Sequence, residues 1–299
     1  MNMNELAGSL VAAFEHDFMR SAALACLIIG FTNGFLGVFL VLRQMALAAD
    51  ALSHSLLPGM ALAAMVFGLS AAGLFAGGLV AALLVALCSQ LISGVSRLKQ
   101  ETAVAALYVM AFATGVALLQ FAEVRVSLKH FLFGDLLGIS SSDLWVAYAV
   151  GAVAVTLVTL FSRPLMLAIF EPSVAKTQGV PVAVMNGGIL VLVVLAMIAS
   201  LQAVGVLLAL GLLILPASTV YLLTDRFAIL PWASGLLGAL GSIVGLVVSF
   251  LTGLPSGPAI IIVLGMVFFF ALIGSPRYGV LASHLGRRHF HEESLEKWN

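Results

Sequence analysis

Apolar residues in this chain come in long runs that neither alternate with period two nor keep to one face of a helix. Runs of roughly 20 residues that are apolar all round predict helices surrounded by lipid or by one another. Nine of them are predicted, at 18–42, 46–68, 70–94, 102–121, 143–162, 182–201, 204–223, 228–250 and 259–274. The last is short and is expected to extend into Ser275 and Pro276. Gly and Pro inside several runs fit this reading, because neighbouring helices re-satisfy the backbone groups they free. The stretch Phe131–Ile139 is apolar but too short to span, so eight to ten spans fit the pattern. From His130 to Asp143 the chain reads as a short amphipathic helix or re-entrant piece, with Ser140 to Asp143 supplying N-cap chemistry to the next span. Neither an internal repeat nor a linker divides the chain. It is read as an all-α polytopic membrane protein: an N-terminal segment 1–17, one membrane domain 18–276 and a tail 277–299.

Composition narrows the picture. The 299 residues are 62% hydrophobic and 9% charged, where a soluble domain carries about 25% charge. That excludes a soluble enzyme, a disordered chain and a nucleic-acid binder, which needs a basic patch. A net charge of zero predicts no polyanionic partner. Cys26 and Cys88 both lie in apolar runs and read as small core residues rather than a disulfide framework. The N-terminal segment carries Glu5, Glu15 and Asp17 without a basic residue, so it lacks the n-region of a cleaved signal peptide.

Charge placement sets the orientation. With nine spans and the C-terminus inside, the inner connections hold Arg43, Arg97, Lys99, Arg163, Lys176 and Arg226, and the tail holds Arg277, Arg287, Arg288 and Lys297. Only Arg20, Arg125 and Lys129 fall outside. This positive-inside bias predicts an extracytoplasmic N-terminus and a cytoplasmic C-terminus.

Ionisable groups inside apolar runs are costly and mark function by default. In the second run, Asp50-Ala-Leu-Ser53-His54 places a carboxylate and an imidazole four residues apart, on one helix face. A hard oxygen and an imidazole nitrogen at that spacing suit one divalent cation, and two copies of the segment on a twofold axis supply four ligands. The alternative is a self-neutralising pair, or one wetted near the interface. Pro58-Gly59 is expected to break the helix just beyond. A second constellation, Phe170-Glu171-Pro172 through Gly179-Val-Pro181, is the most polar inner connection. Pro172 starts and Gly179 stops a helix of about two turns there. It reads either as a docking element for a soluble partner or as an ordinary connector. Leu215-Pro216-Ala217-Ser218 reads as a proline kink with a back-bonding serine, and Leu251–Pro258 as a tight outer turn. His130 with Asp135 is a possible outer mouth for a cation, while His284, His289 and His291 belong to a solvated tail. The sequence contains no P-loop, no H-E-x-x-H zinc-protease motif and no G-x-S-x-G elbow. An intramembrane enzyme would rest on the Asp–His pair alone.

The run Leu42-Arg43-Gln-Met45-Ala-Leu-Ala-Ala-Asp50-Ala-Leu-Ser53-His54-Ser-Leu-Leu-Pro58-Gly59 resembles the D-A-L-S-H-x-x-L-P-G signature of the ABC-3 family, the permease subunits of bacterial manganese, zinc and iron(II) ABC importers. Further motifs follow in order. They are Gln100-Glu101-Thr102-Ala103, His130-Phe-Leu-Phe-Gly134-Asp-Leu-Leu-Gly138, Phe170 to Pro181, Ala203-Val204-Gly205-Val206-Leu207 with Leu213 to Ala217, and Leu254-Pro255-Ser256-Gly257. Ala49 stands where the family often has Gly. The resemblance implies a fold like the vitamin B12 and siderophore importer permeases, and a homodimer or a heterodimer of paralogues. It further implies two separate ATPase subunits on the cytoplasmic face, an extracytoplasmic metal-binding protein, and residence in the bacterial inner membrane. It makes Asp50 and His54 metal ligands in the path, and 170–181 the coupling helix, with Glu171, Pro172, Ala175 and Gly179 matching its pattern. The chain then has no ATPase site of its own and no permanently bound cofactor; the cation is cargo. Manganese or iron fits the D-A-L-S-H form better than zinc. The competing function is a stand-alone ion-coupled carrier for a cation.

Overall fold

The computed structural model describes residues 17–68, 70–121 and 136–275. Among these, every regular element is helical: α1 (Asp17–Leu42), α2 (Ala46–His54), α3 (Leu57–Phe67), α4 (Ala71–Val95), α5 (Gln100–Phe121), a 3-10 turn at Leu136–Gly138, α6 (Ser141–Leu160), α7 (Ser162–Phe170), α8 (Pro172–Thr177), α9 (Val182–Leu223), α10 (Leu230–Thr252) and α11 (Ser256–Gly274). Among the described residues nine stretches are long and apolar enough to cross a bilayer, and they coincide with the nine expected runs to within a few residues. The chain is a multi-pass membrane protein. The expected cap at Ser140 is a full capping box: the hydroxyl accepts from the Asp143 amide, and the Asp143 carboxylate accepts from the Ser140 amide.

Helix α9 holds 42 residues, about 63 Å of helix and twice the hydrocarbon thickness of a bilayer. It is two spans, Val182–Leu201 and Ala203–Leu223. The reversal is made at Gly205, whose φ of 80° lies where glycine alone is at ease. Contacts along α1 trace the turn. Asn186 lies level with Arg43, Ser200 with Asn33, Ala203 and Val204 share a cluster with Met19 and Ala22, and the return leg passes Gly37 at Leu213 and Val38 at Val220. The turn falls where runs six and seven were expected to meet, Pro216 lies inside the return leg without a non-helical residue, and the back-bonding hydroxyl is that of Thr219, donating to Leu215, rather than Ser218. A threonine one turn beyond a proline is well placed to cover helix carbonyls near it.

Helix α1 is the axis of the packing. Small residues let its neighbours approach closely: a methyl group on Gly34 would sit 2.4 Å from the Ser234 carbonyl oxygen, and one on Gly37 would sit 1.7 Å from that of Leu213. Such seams are how helices associate in lipid, where no hydrophobic drive separates side chain from solvent. Within this core Asn33 donates to the Ser200 hydroxyl, which donates in turn to the Ala196 carbonyl.

The connections at Leu42, Gln100, Asn186, Leu222, Leu230 and Ser275 gather at one end, as Arg43–Gln100–Asn186 and Ser275–Leu222 hydrogen bonds and the Val38–Leu230 cluster show. Arg43, Arg97, Lys99, Arg163, Lys176 and Arg226 all belong to connections at this end, while Arg20 lies near the opposite one. Cysteine 88 departs from expectation: Cys26 is buried on α1, but Cys88 is exposed on α4, whose turn-by-turn apolar character does not distinguish inward from outward faces. Both are free thiols.

Candidate functional site

The second span is two helices. Pro58 has no amide hydrogen to offer the His54 carbonyl four residues earlier, so α2 stops at His54 and α3 resumes at Leu57 after a turn at Ser55 and Leu56. The break expected beyond the Asp–His pair thus begins directly after His54. Ser55 and Ser53 turn their hydroxyls back onto the carbonyls of Leu52 and Asp50. Gly59 and Gly77 face each other so closely that a methyl group on either would strike the other's carbonyl oxygen. Gly115 of α5 similarly receives the backbone at Leu57 and Pro58. These two contacts clamp the broken span between α4 and α5.

Asp50 and His54 share one face, as the spacing predicts, with His54 Nε2 3.7 Å from Asp50 Oδ1. Their side chains are 55% and 31% exposed, respectively, on the outside of the single subunit. On α2 they lie about 6 and 12 Å from the Ala46 end of the span. The imidazole stands against α5, edge-on to Phe112 at 5.7 Å between ring centroids and tilted toward Tyr108 at 6.1 Å. The aromatic wall fixes the ring plane and leaves the Asp50 side open. Among the described residues no three His, Cys, Asp or Glu side chains come together, so one subunit supplies a pair of ligands from this face. Tyr108 and Phe112 were missed from sequence. In an apolar run they are indistinguishable from packing residues, and only a helical register of α5 against α2 singles them out.

The polar connection folds as expected. Glu171 ends α7, its amide donating to Leu167, and Pro172 opens α8 at N1, where a missing N–H costs nothing. The helix stands on Ala175, which is fully buried, while Pro172, Ser173, Lys176 and Thr177 are exposed. Gly179, at φ 78°, closes it, with its own amide on Lys176 and the next one, of Val180, on Ala175. Phe170 packs edge-on against Phe227, which meets Phe39 of α1. The structure does not bring the two constellations together: Asp50 and His54 lie within a span, and Glu171 to Gly179 lie in a connection. His130 and Asp135 lie outside the described residues, as do His284, His289 and His291.

A carboxylate and an imidazole in a membrane span, and an exposed short helix in a connection at the basic end, fit a membrane transport protein. Residues 15–275 match the ABC 3 transport family, and the chain belongs to it. It is 34% identical over 271 residues, 90% of this chain and 91% of the other, to the manganese transport system membrane protein MntC of Halalkalibacterium halodurans. It is 30% identical over 91% of its length, and 95% of the other's, to a probable iron transport system membrane protein of Haemophilus influenzae. The fold superposes with a TM-score of 0.79 and 29% identity on PsaBC from Streptococcus pneumoniae in complex with Fab, covering 95% of this chain and all of that one. The chain is a permease subunit of an ABC importer, and the stand-alone carrier has no support from these relatives.

Proposed function

We propose that this permease conducts a divalent transition metal ion, with manganese first, across a bacterial inner membrane. The observation that carries the reading is the Asp50–His54 pair, one turn apart and facing out of the subunit on an otherwise apolar span. A single subunit leaves the cation half coordinated. A second copy related by a twofold axis brings another carboxylate and imidazole to the same depth, and the four ligands suit the borderline cations that mixed oxygen and nitrogen sites select. The relatives named for manganese and iron transport agree with this chemistry. The gathering of basic residues at one end of the bundle supports a cytoplasmic location for that end and an N-terminus on the outside. Two separate ATPase subunits bind there at Glu171, Pro172, Ala175 and Gly179, and a metal-binding protein delivers the ion at the opposite face. Closure of the ATPases tips the two permease copies, and the pair is exposed to each side in turn.

Reconstitution tests this directly. In vesicles, the chain with its ATPase and binding protein is expected to take up manganese(II) only when ATP is supplied, and Asp50→Ala and His54→Ala are expected to stop it. Full uptake by both variants would remove the proposed ligands.

A further inference from the structure

We infer that Arg43 is the positioning residue that carries movement of the coupling connection to the metal-binding helix. The inference rests on the function proposed above, and it assigns a role to a side chain which that reading leaves unused.

Arg43 lies in the three-residue link between α1 and α2, seven residues before Asp50. One arm of its guanidinium donates to the Asn186 carbonyl of α9 at 3.2 Å, and the other to Gln100 Oε1 at the start of α5 at 2.7 Å. One side chain therefore ties together three inner ends: the helix that bears the ligands, the helix that backs His54 with Tyr108 and Phe112, and the helix that follows the coupling connection. The link itself is stiff. Gln44 sits at φ 55°, unusual outside glycine, and the amides of Gln44 and Met45 are bonded to Val41 and Leu40. Burial pulls the guanidinium down to about 10, which leaves it charged at neutral pH. The Gln100 Nε2 group is buried with no partner, so this glutamine is held for the oxygen it offers Arg43.

The path from the other side is equally short. Val180 and Gly179 bond back to α8, Pro181 caps α9, and Met185 bonds to Pro181. Displacement of α8 therefore displaces the first turns of α9, where Asn186 lies. A planar cation with two separate acceptors transmits both push and rotation, because its fork fixes direction as well as distance. Two other ties leave the same region and end on helices that carry neither Asp50 nor His54. Gln90 of α4 donates to the Ala183 carbonyl, and Phe170 reaches α1 through Phe227 and Phe39.

The test uses the assembled importer in vesicles, with manganese(II) as the probe, and reads uptake and ATP hydrolysis together. Arg43→Gln is expected to keep the ATPase bound and hydrolysing within about twofold of the parent, while manganese moved per ATP falls about tenfold, within the range of known coupling free energies. Arg43→Lys, which keeps the charge but one point of attachment, is expected to recover part of the ratio. Gln100→Met, which removes only the acceptor, is expected to lower it about threefold, and Gln90→Met, which removes the tie of α4 to the Ala183 carbonyl, is expected to leave it unchanged. An unchanged ratio in Arg43→Gln or Gln100→Met overturns the inference. So does loss of ATPase binding or of folded protein in both Arg43 variants and in Gln100→Met, since Arg43 is then a structural staple. Absence of ATP-driven uptake in the parent complex would instead remove the function proposed above, and this inference with it.

Discussion

The half of the molecule built on α1, α9 and α10 and the half built on α2 to α5 use the same residue types to opposite ends. In the apolar stretch of α1, 72% of residues are buried, against 17% in α5. The first half meets itself along seams of Gly30, Gly34 and Gly37 against Ser234, Gly238 and Leu213. The second has its closest backbone approaches where Gly59, Gly77 and Gly115 clamp the broken span, and it leaves about half of Asp50 and a third of His54 outward. A polar pair survives in lipid only facing protein or water. In the function proposed above, the sparsely packed half is the one a second subunit completes, and the densely packed half is its frame.

The largest effect expected from breaking the comparison is in the frame. Gly37→Val places a branched side chain where even one methyl would lie 1.7 Å from a backbone oxygen. No rotamer relieves a backbone clash, so a loss of about 3 kcal/mol or more is expected. Size-exclusion profiles and thermal denaturation in detergent would show it. A normal melting profile would mean that the frame yields as readily as the other half.

Next come the proposed ligands, where stability and function separate. Asp50→Asn and His54→Ala remove an exposed pair, and they are expected to move stability by no more than about 0.5 kcal/mol. Manganese uptake is expected to fall about 100-fold, at the upper end of what disturbing a metal site costs. A large drop in melting temperature with uptake preserved would make the pair an internal stabiliser and not a site. At the join between the basic end and the frame, Gly179→Ala meets open space, so only its φ of 78° resists. That strain costs about 1 kcal/mol. A weakened pull-down of the ATPase, with uptake reduced and the fold intact, is the expected result.

Much of this division was readable from the chain. Run length and hydropathy placed the nine spans, and positive charge sorted their connections, because both follow from the bilayer and not from tertiary contacts. Asp50 and His54 stood out because a carboxylate in an apolar run is rare, and Glu171-Pro172 with Gly179 stood out because caps are local chemistry. What could not be read is whatever depends on one helix facing another. Nothing local distinguishes the outward Cys88 from the inward Cys26. Arg43 looked like one more inward charge. Its role depends on Gln100 and Asn186, which lie 57 and 143 residues away.

The smallest effect gives the most even comparison, because the chemistry is the same in both halves. Cys26→Ser and Cys88→Ser each replace a thiol by a hydroxyl in the interior of an apolar span. On α1 the new hydroxyl is enclosed by the cluster of Met19, Ala22, Ile29 and Leu208. It must bond back to its own helix, which bends the axis slightly against a seam that has no slack. A cost of about 1 kcal/mol is expected. On α4 the same hydroxyl lies at an exposed position and is free to choose its rotamer, so the cost is expected to stay within about 0.5 kcal/mol. Chemical or thermal denaturation of the two variants beside the parent measures the difference. Equal costs in the isolated subunit would mean that α4 is packed as tightly as α1. Equal costs that appear only in the assembled importer would show that a second chain closes over α4, completing the half that one subunit leaves open.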